Sequence, residues 1–388
     1  MYYRKPYYYN EFKCIADKCP ATCCEGWAIV VDDKTMKKYH SLPKEEKAYV
    51  LSHVDHTEGV FKRSGDRCAF LNDRNLCDLY TRLGEDAFCN TCRRYPRHFE
   101  EYGNLLEAAL SMSCPVAAKM IVTNPKPDQF VESRSDRKSP HFDEVDAVLL
   151  AGLLEVREHM IEIVNDRRIS LQQRLKRLYQ YSYKVQKLIY NYEALGKKVK
   201  KSKCVSEFLL KMDLLTKKEA NYELKIADRI NPNRQKSMLA LLDIMSVLEN
   251  INADWPRMME ELESTLYIDM TNEEYMARSK EFEAYMQDRN YEYEHIVNYF
   301  LYTYYLGGVY DYHVHSMTKL ALISYAIIRD FGLLAYIKNK KMLTEEEQIR
   351  ISYTYSRQIE HSDDNLMALE GLLIAHPELS DKNIIRML

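Results

Sequence analysis

The chain has 388 residues, 46% of them apolar, enough for two or three domains with a substantial core. Its 55 basic and 58 acidic residues leave a formal charge of -3, which excludes any general attraction to nucleic acid or anionic lipid, so partners must be met by local patches. Only 11 glycines occur, without a GxGxxG or P-loop pattern; adjacent Gly307 and Gly308 follow a helical stretch rather than a strand, which argues against a Rossmann-type cofactor domain.

Met1 to Glu11 is tyrosine-rich, broken by Pro6, and lacks the apolar stretch of an export signal. No later segment reaches the roughly 18 uninterrupted apolar residues of a membrane helix, so a cytoplasmic protein without membrane association is expected. Residues 1–123 read as a small mixed α/β, cysteine-rich domain. Asp32 or Asp33 can cap a helix towards Leu51, and Asn72 to Asn75 supplies a turn between Cys68–Leu71 and Leu76–Tyr80. Gly103-Asn104 offers a second hairpin turn between Arg97–Glu100 and Leu105–Leu110, although the latter run is also a good helix former.

Residues 124–140, with Pro125, Pro127 and Pro140 among serines and charges, read as a linker. Residues 141–388 follow as an irregular helical domain, making the fold class mainly α. Apolar residues at three- and four-residue steps predict helices over Asp143–Asn165, Leu171–Tyr192, Val205–Ile230, Gln235–Asn250, Asn272–Asn290, Tyr291–Tyr305, Tyr310–Phe331, Thr344–Glu360 and Asp363–Ala375. The lysine-rich run 196–203 between two of them reads as a solvated turn. The 31 tyrosines read as packing residues whose hydroxyls find partners at the core edge.

Chemistry concentrates at the front of the chain. Nine of the ten cysteines are Cys14, Cys19, Cys23, Cys24, Cys68, Cys77, Cys89, Cys92 and Cys114. Thiolates are soft ligands, and in a reducing compartment such clustering points to a metal centre rather than to disulfides. Cys89-Asn90-Thr91-Cys92 is a CxxC pair, which turns two thiolates towards one ion. Adjacent Cys23 and Cys24 point different ways, so one can serve a second site or simply pack. Cys19 and Cys23 have the first interval of the radical-enzyme triad, but Cys24 comes too early for the second. Beside the CxxC, Arg93, Arg97 and His98 can brace the metal loop or hold a cofactor carboxylate. His361 ends a helix, where the dipole favours a cation.

The run from Phe12 through Cys14, Cys19 and Cys23-Cys24 to Gly26-Trp27 resembles the flagellin lysine-N-methylase family, within the wider zinc- or iron-chelating cysteine-cluster superfamily. So do Cys68-Ala69-Phe70-Leu71, Leu76-Cys77, Cys89 to Arg97, Leu110-Ser111 to Cys114-Pro115, Asn298-Tyr299-Phe300 and Ile359-Glu360-His361. The resemblance implies S-adenosylmethionine as methyl donor, surface lysines of flagellin as substrate, and an iron–sulfur cluster, [4Fe–4S], in the N-terminal domain. Methyl transfer needs a neutral lysine, and Tyr95, Tyr299 and His361 are the candidate catalytic groups. A polar transfer is favoured over a radical one, because an amine is nucleophilic enough to attack a sulfonium methyl. The rivals are a zinc-stapled protein-binding module and an iron–sulfur redox protein. One cubane takes four thiolates and two take eight, so the sequence leaves the assignment of nine open.

Overall fold

A computed structural model describes residues 1–137, 139, 145–194, 202–220 and 231–388. The lysine side chains of the 196–203 run, the start of the helix expected from Asp143, and residues 221–230 of the helix expected to Ile230 lie outside them.

The chain is mainly α, with a small mixed region in front. Strands β1 (Tyr2–Pro6), β2 (Arg97–Tyr102) and β3 (Leu105–Leu110) are joined by β4 (Phe130–Arg134) in a sheet of order β2-β3-β1-β4. Gly103 at φ 57 supplies the left-handed turn of the β2–β3 hairpin, which pairs Tyr102 with Leu105. Leu105–Leu110 had helical propensity but is a strand, because β1 pairs with it in parallel on its other edge, Tyr2 opposite Leu105 and Arg4 opposite Glu107. β4 lies within the segment read as a linker and pairs antiparallel with β1.

Buried ion pairs bolt the sheet to the helices. Arg157 on α2 (Ala147–Asn165) gives both guanidinium ends to Glu107, at 2.6 and 2.5 Å, and donates to the Tyr302 carbonyl. Neither partner of that pair reaches water, so removing either leaves a stranded charge.

Helices α3 Leu171–Ala194, α4 Tyr291–Tyr304, α5 Val314–Lys338, α6 Glu345–Glu360 and α7 Asp363–Ala375 form where the apolar spacing places them, all but α5 within two residues at each end, whereas the helices expected to reach Asn250 and Asn290 stop at Met245 and Tyr285. Thr344 caps α6 reciprocally with Glu347. α5 starts later than expected because Tyr312 takes a left-handed turn at φ 65. By length and composition α5 could cross a membrane, yet 89% of its most apolar window is buried against other helices. Its Asp330 is fully buried between Arg234 at 2.6 Å and Arg329 at 2.9 Å, and accepts from Tyr267 and Tyr275.

Buried side chains form two cores. The larger joins the helices to Tyr8, Tyr9, Phe12, Tyr102 and helix α1 (Pro115–Val122). The smaller lies wholly within residues 29–89 and takes in Ile29, Tyr39, Phe61, Phe70, Cys68 and Cys89, with Cys24, Cys77 and Cys92 packed on it.

Candidate active site at the junction of the two cores

All nine described cysteines are free thiols. Five of them, Cys24, Cys68, Cys77, Cys89 and Cys92, line the small core. The Cys68 thiol is pushed up to about 12 by burial, with Cys24, Cys77 and Cys89 adding repulsion. Cys114 belongs to the large core, and its nearest thiol influences are Cys19 and Cys14. Cys23 and Cys24 share a hydrogen bond where the two sets meet; it draws Cys24 down to about 7, with Thr22 and Arg67 assisting, and pushes Cys23 up. Cys89 and Cys92 share another, which lowers Cys89. Among the described residues no three His, Cys, Asp or Glu side chains gather around a point where a single ion would sit. In kind the donors fit a soft metal: nine reduced thiols, most of them partly or fully buried. A cubane spaces its four thiolates around a cluster rather than around one ion.

The flanking candidates divide. Arg93 donates to the carbonyls of Asp86 and Phe88 at 3.2 Å each, so it braces the loop before the CxxC. Arg97 lies over the Phe12 ring at 5.2 Å, and His98 meets Glu100 at 3.0 Å.

Tyr95, Tyr299 and His361, far apart in sequence, come together at one place. Gly26, at φ 88, lets the cysteine loop turn so closely against the Ile251 carbonyl that an added Cβ would lie 3.2 Å from it. The turn delivers Trp27, whose indole N–H donates to the Cys23 carbonyl at 2.8 Å. His361 stacks on Trp27 at 4.6 Å and meets the Tyr95 edge at 5.8 Å. Arg357, one turn earlier on α6, donates to the carbonyls of Ala21 at 2.6 Å and Ser113 at 2.9 Å, tying the cysteine loop to the residue before Cys114.

Electrostatics then sort these groups. Burial, with help from Arg357, pulls the His361 imidazole down to about 3, so it is neutral at pH 7 and neither ring nitrogen has a protein partner. The expectation of a dipole-stabilised cation at this helix end is therefore reversed by desolvation. Burial pushes the Tyr95 and Tyr299 phenols well above their ordinary value, so they act as donors rather than as bases. Tyr299 accepts from the Met112 N–H at 3.1 Å and donates to Glu360 Oε1 at 2.5 Å.

In the sequence Glu360 stands out only as part of Ile359-Glu360-His361. Tyr304 also donates to its Oε1, at 2.6 Å, and Ser356 donates to Oε2. Burial raises its carboxyl to about 7 despite these donors. The local signal in the sequence was Ser356 four residues earlier on the same helix face; the tyrosines lie 61 and 56 residues upstream. The junction can thus exchange a proton near neutrality beside an unpartnered imidazole and several aromatic faces. Two cavities of about 470 and 490 Å³ open between the sheet and α2, and neither thiols nor junction side chains line them.

A family model for the FliB lysine N-methylase C-terminal domain matches residues 157–384, which include Tyr299, Tyr304, Ser356, Glu360 and His361. The chain is 29% identical over 132 residues to a lysine-N-methylase of Salmonella choleraesuis, covering 31% of this chain and 32% of that protein. It is 26% identical over 140 residues to the flagellar biosynthetic protein FliU of Salmonella muenchen, covering 34% and 83% respectively. A lysine-N-methylase of Salmonella typhimurium is 28% identical over 132 residues, again covering 31% and 32%. The chain thus spans about a third of the length of the lysine N-methylases it matches. No solved structure matches it.

Proposed function

The chain belongs to the FliB lysine N-methylase family, and on that premise we propose that it methylates the ε-amino groups of surface lysines on flagellin. The methyl donor in this reading is S-adenosylmethionine, the compartment is the cytoplasm, and the N-terminal thiols hold an iron–sulfur cluster. The observation that carries it is the junction, where the family-matched helices lay a neutral imidazole against Trp27 and Tyr95 of the cysteine-rich part and, at the preceding residue, hold a proton-exchanging carboxyl between Tyr299, Tyr304 and Ser356. The names of the relatives support lysine as the target residue and the flagellum as the setting.

An ε-ammonium has no lone pair, so transfer requires that the site take a proton before the carbon–nitrogen bond forms. The aromatic faces of Trp27 and Tyr95 suit a cationic lysine or sulfonium, which ring quadrupoles attract. The neutral His361 ring keeps one N–H and one bare nitrogen, both buried without a protein partner at the junction. Polar displacement is the favoured route, since a neutral amine is itself nucleophilic. Cys24, Cys68, Cys77, Cys89 and Cys92 on one side, and Cys14, Cys19, Cys23 and Cys114 on the other, are the thiols available to a cluster. When bound, a cluster supplies fixed charge and cross-links the loops that carry Trp27 and Tyr95.

Two measurements test the reading. Incubation with unmethylated flagellin and S-adenosylmethionine should add about 14 Da per methyl group to the flagellin, and no increment under reducing or non-reducing conditions would reject methylation. Anaerobic purification should give a coloured protein containing iron and acid-labile sulfide; a colourless protein with stoichiometric zinc would reject the cluster.

A further inference from the structure

Resting on that reading, we propose that Glu360 is the catalytic residue that takes the proton from the substrate ammonium, at Oε2, with Tyr299, Tyr304 and Ser356 as positioning residues. An ionised carboxylate offers about four acceptor positions, two on each oxygen. Both positions on Oε1 are taken, by the Tyr299 and Tyr304 hydroxyls at 2.5 and 2.6 Å, and one on Oε2 is taken by Ser356. A single position on Oε2 remains. Three donors from two helices therefore fix the carboxylate plane and leave one direction along which a proton can arrive.

Glu360, His361, Tyr304, Trp27, Tyr95 and His98 are each only half-buried as residues, so the rim of the junction meets solvent while the Glu360 carboxyl and the His361 ring nitrogens lie inside it. Glu100 and Asp363, close to His98 at the same edge, favour the approach of a cation.

The groups around Glu360 are poor rivals as proton acceptors. Tyr299 and Tyr304 on α4 and Tyr355 on α6 are phenols raised by burial, and hold their protons. His361 is pulled too low to hold a proton taken from an amine. His98, on β2, is raised above its ordinary value by its contact with Glu100, and its charge draws Glu360 downward. Glu360, near 7, is matched to the task at cellular pH.

The step balances without a further reagent. One ammonium N–H bond breaks and its proton joins Glu360 Oε2. The freed lone pair on Nζ forms the bond to the methyl carbon while the carbon–sulfur bond breaks, and its electron pair stays on sulfur as a neutral thioether. The product is a methylated ammonium, and Glu360 returns its proton to water.

The test is the pH profile of kcat/KM for flagellin methylation by wild type, Glu360→Gln and Glu360→Asp, with thermal unfolding of each protein as a folding control. Wild type should rise through pH 7 to a plateau. Glu360→Gln should fold, lose at least about 100-fold at pH 8, and recover towards pH 10 as the substrate lysine deprotonates unaided; Glu360→Asp should keep the limb near neutrality at reduced rate. An active wild type with a Gln variant of unchanged rate and profile would overturn the assignment while leaving methylation intact. A wild type inactive at every pH would instead reject the methylase reading.

Discussion

The carboxyl of Glu360 is held near 7 by a cost in stability, and that cost should be measurable without any substrate. Glu360→Gln preserves the hydrogen bonds: the amide oxygen accepts from Tyr299 and Tyr304, and the amide N–H donates to the Ser356 hydroxyl oxygen. What changes is the charge. Burial raises the folded carboxyl from an ordinary 4.5 to about 7, so between those values the folded protein binds a proton that the unfolded chain has released. Stability from this group is therefore full below about pH 4.5, declines as pH rises, and is lost above about 7. At about 1.4 kcal/mol per pH unit the whole change is about 3 kcal/mol. Urea unfolding of both proteins at pH 5 and pH 8 isolates it, because other titrations cancel in the difference. The Gln variant should match wild type within about 1 kcal/mol at pH 5 and exceed it by about 3 kcal/mol at pH 8. A difference independent of pH, or a Gln variant less stable at pH 8, would refute the claim that desolvation dominates at Glu360.

Three further outcomes follow from the packing. Gly26→Ala places a Cβ at 3.2 Å from the Ile251 carbonyl at a φ of 88; it should cost about 1–3 kcal/mol in urea unfolding and reduce the tryptophan fluorescence change on ligand addition by displacing Trp27. Arg357→Leu removes two charged donors from the Ala21 and Ser113 carbonyls; a loss of about 3 kcal/mol is expected, and His361, freed of the neighbouring cation, should titrate higher by NMR. Asp330→Asn leaves Arg234 and Arg329 uncompensated in the core; it should cost about 3–5 kcal/mol, and a cost below 1 kcal/mol would show that water reaches α5.

Helix positions were legible because three- and four-residue apolar spacing is a local property: α7 was placed to the residue and α6 to within its capping threonine. The β2–β3 turn was legible because Gly103 takes a left-handed conformation that few other residues tolerate. The cysteines announced a soft-metal chemistry by type and number. Leu105–Leu110 was not settled by its own residues, since β1 from the far end of the region makes it an interior strand. Likewise β4 hides in a proline-rich stretch, because an edge strand needs few apolar residues of its own.

The sequence by itself determined which groups are available: the thiols, the phenols, and a glutamate and histidine at the end of α6. Only the tertiary structure decided what each does. Glu360 and His361 are consecutive residues, yet one is shifted up to about 7 and the other down to about 3. Both shifts come from desolvation, which penalises whichever form carries charge, and desolvation depends on Trp27, Tyr95, Tyr299 and Tyr304 arriving from distant parts of the chain.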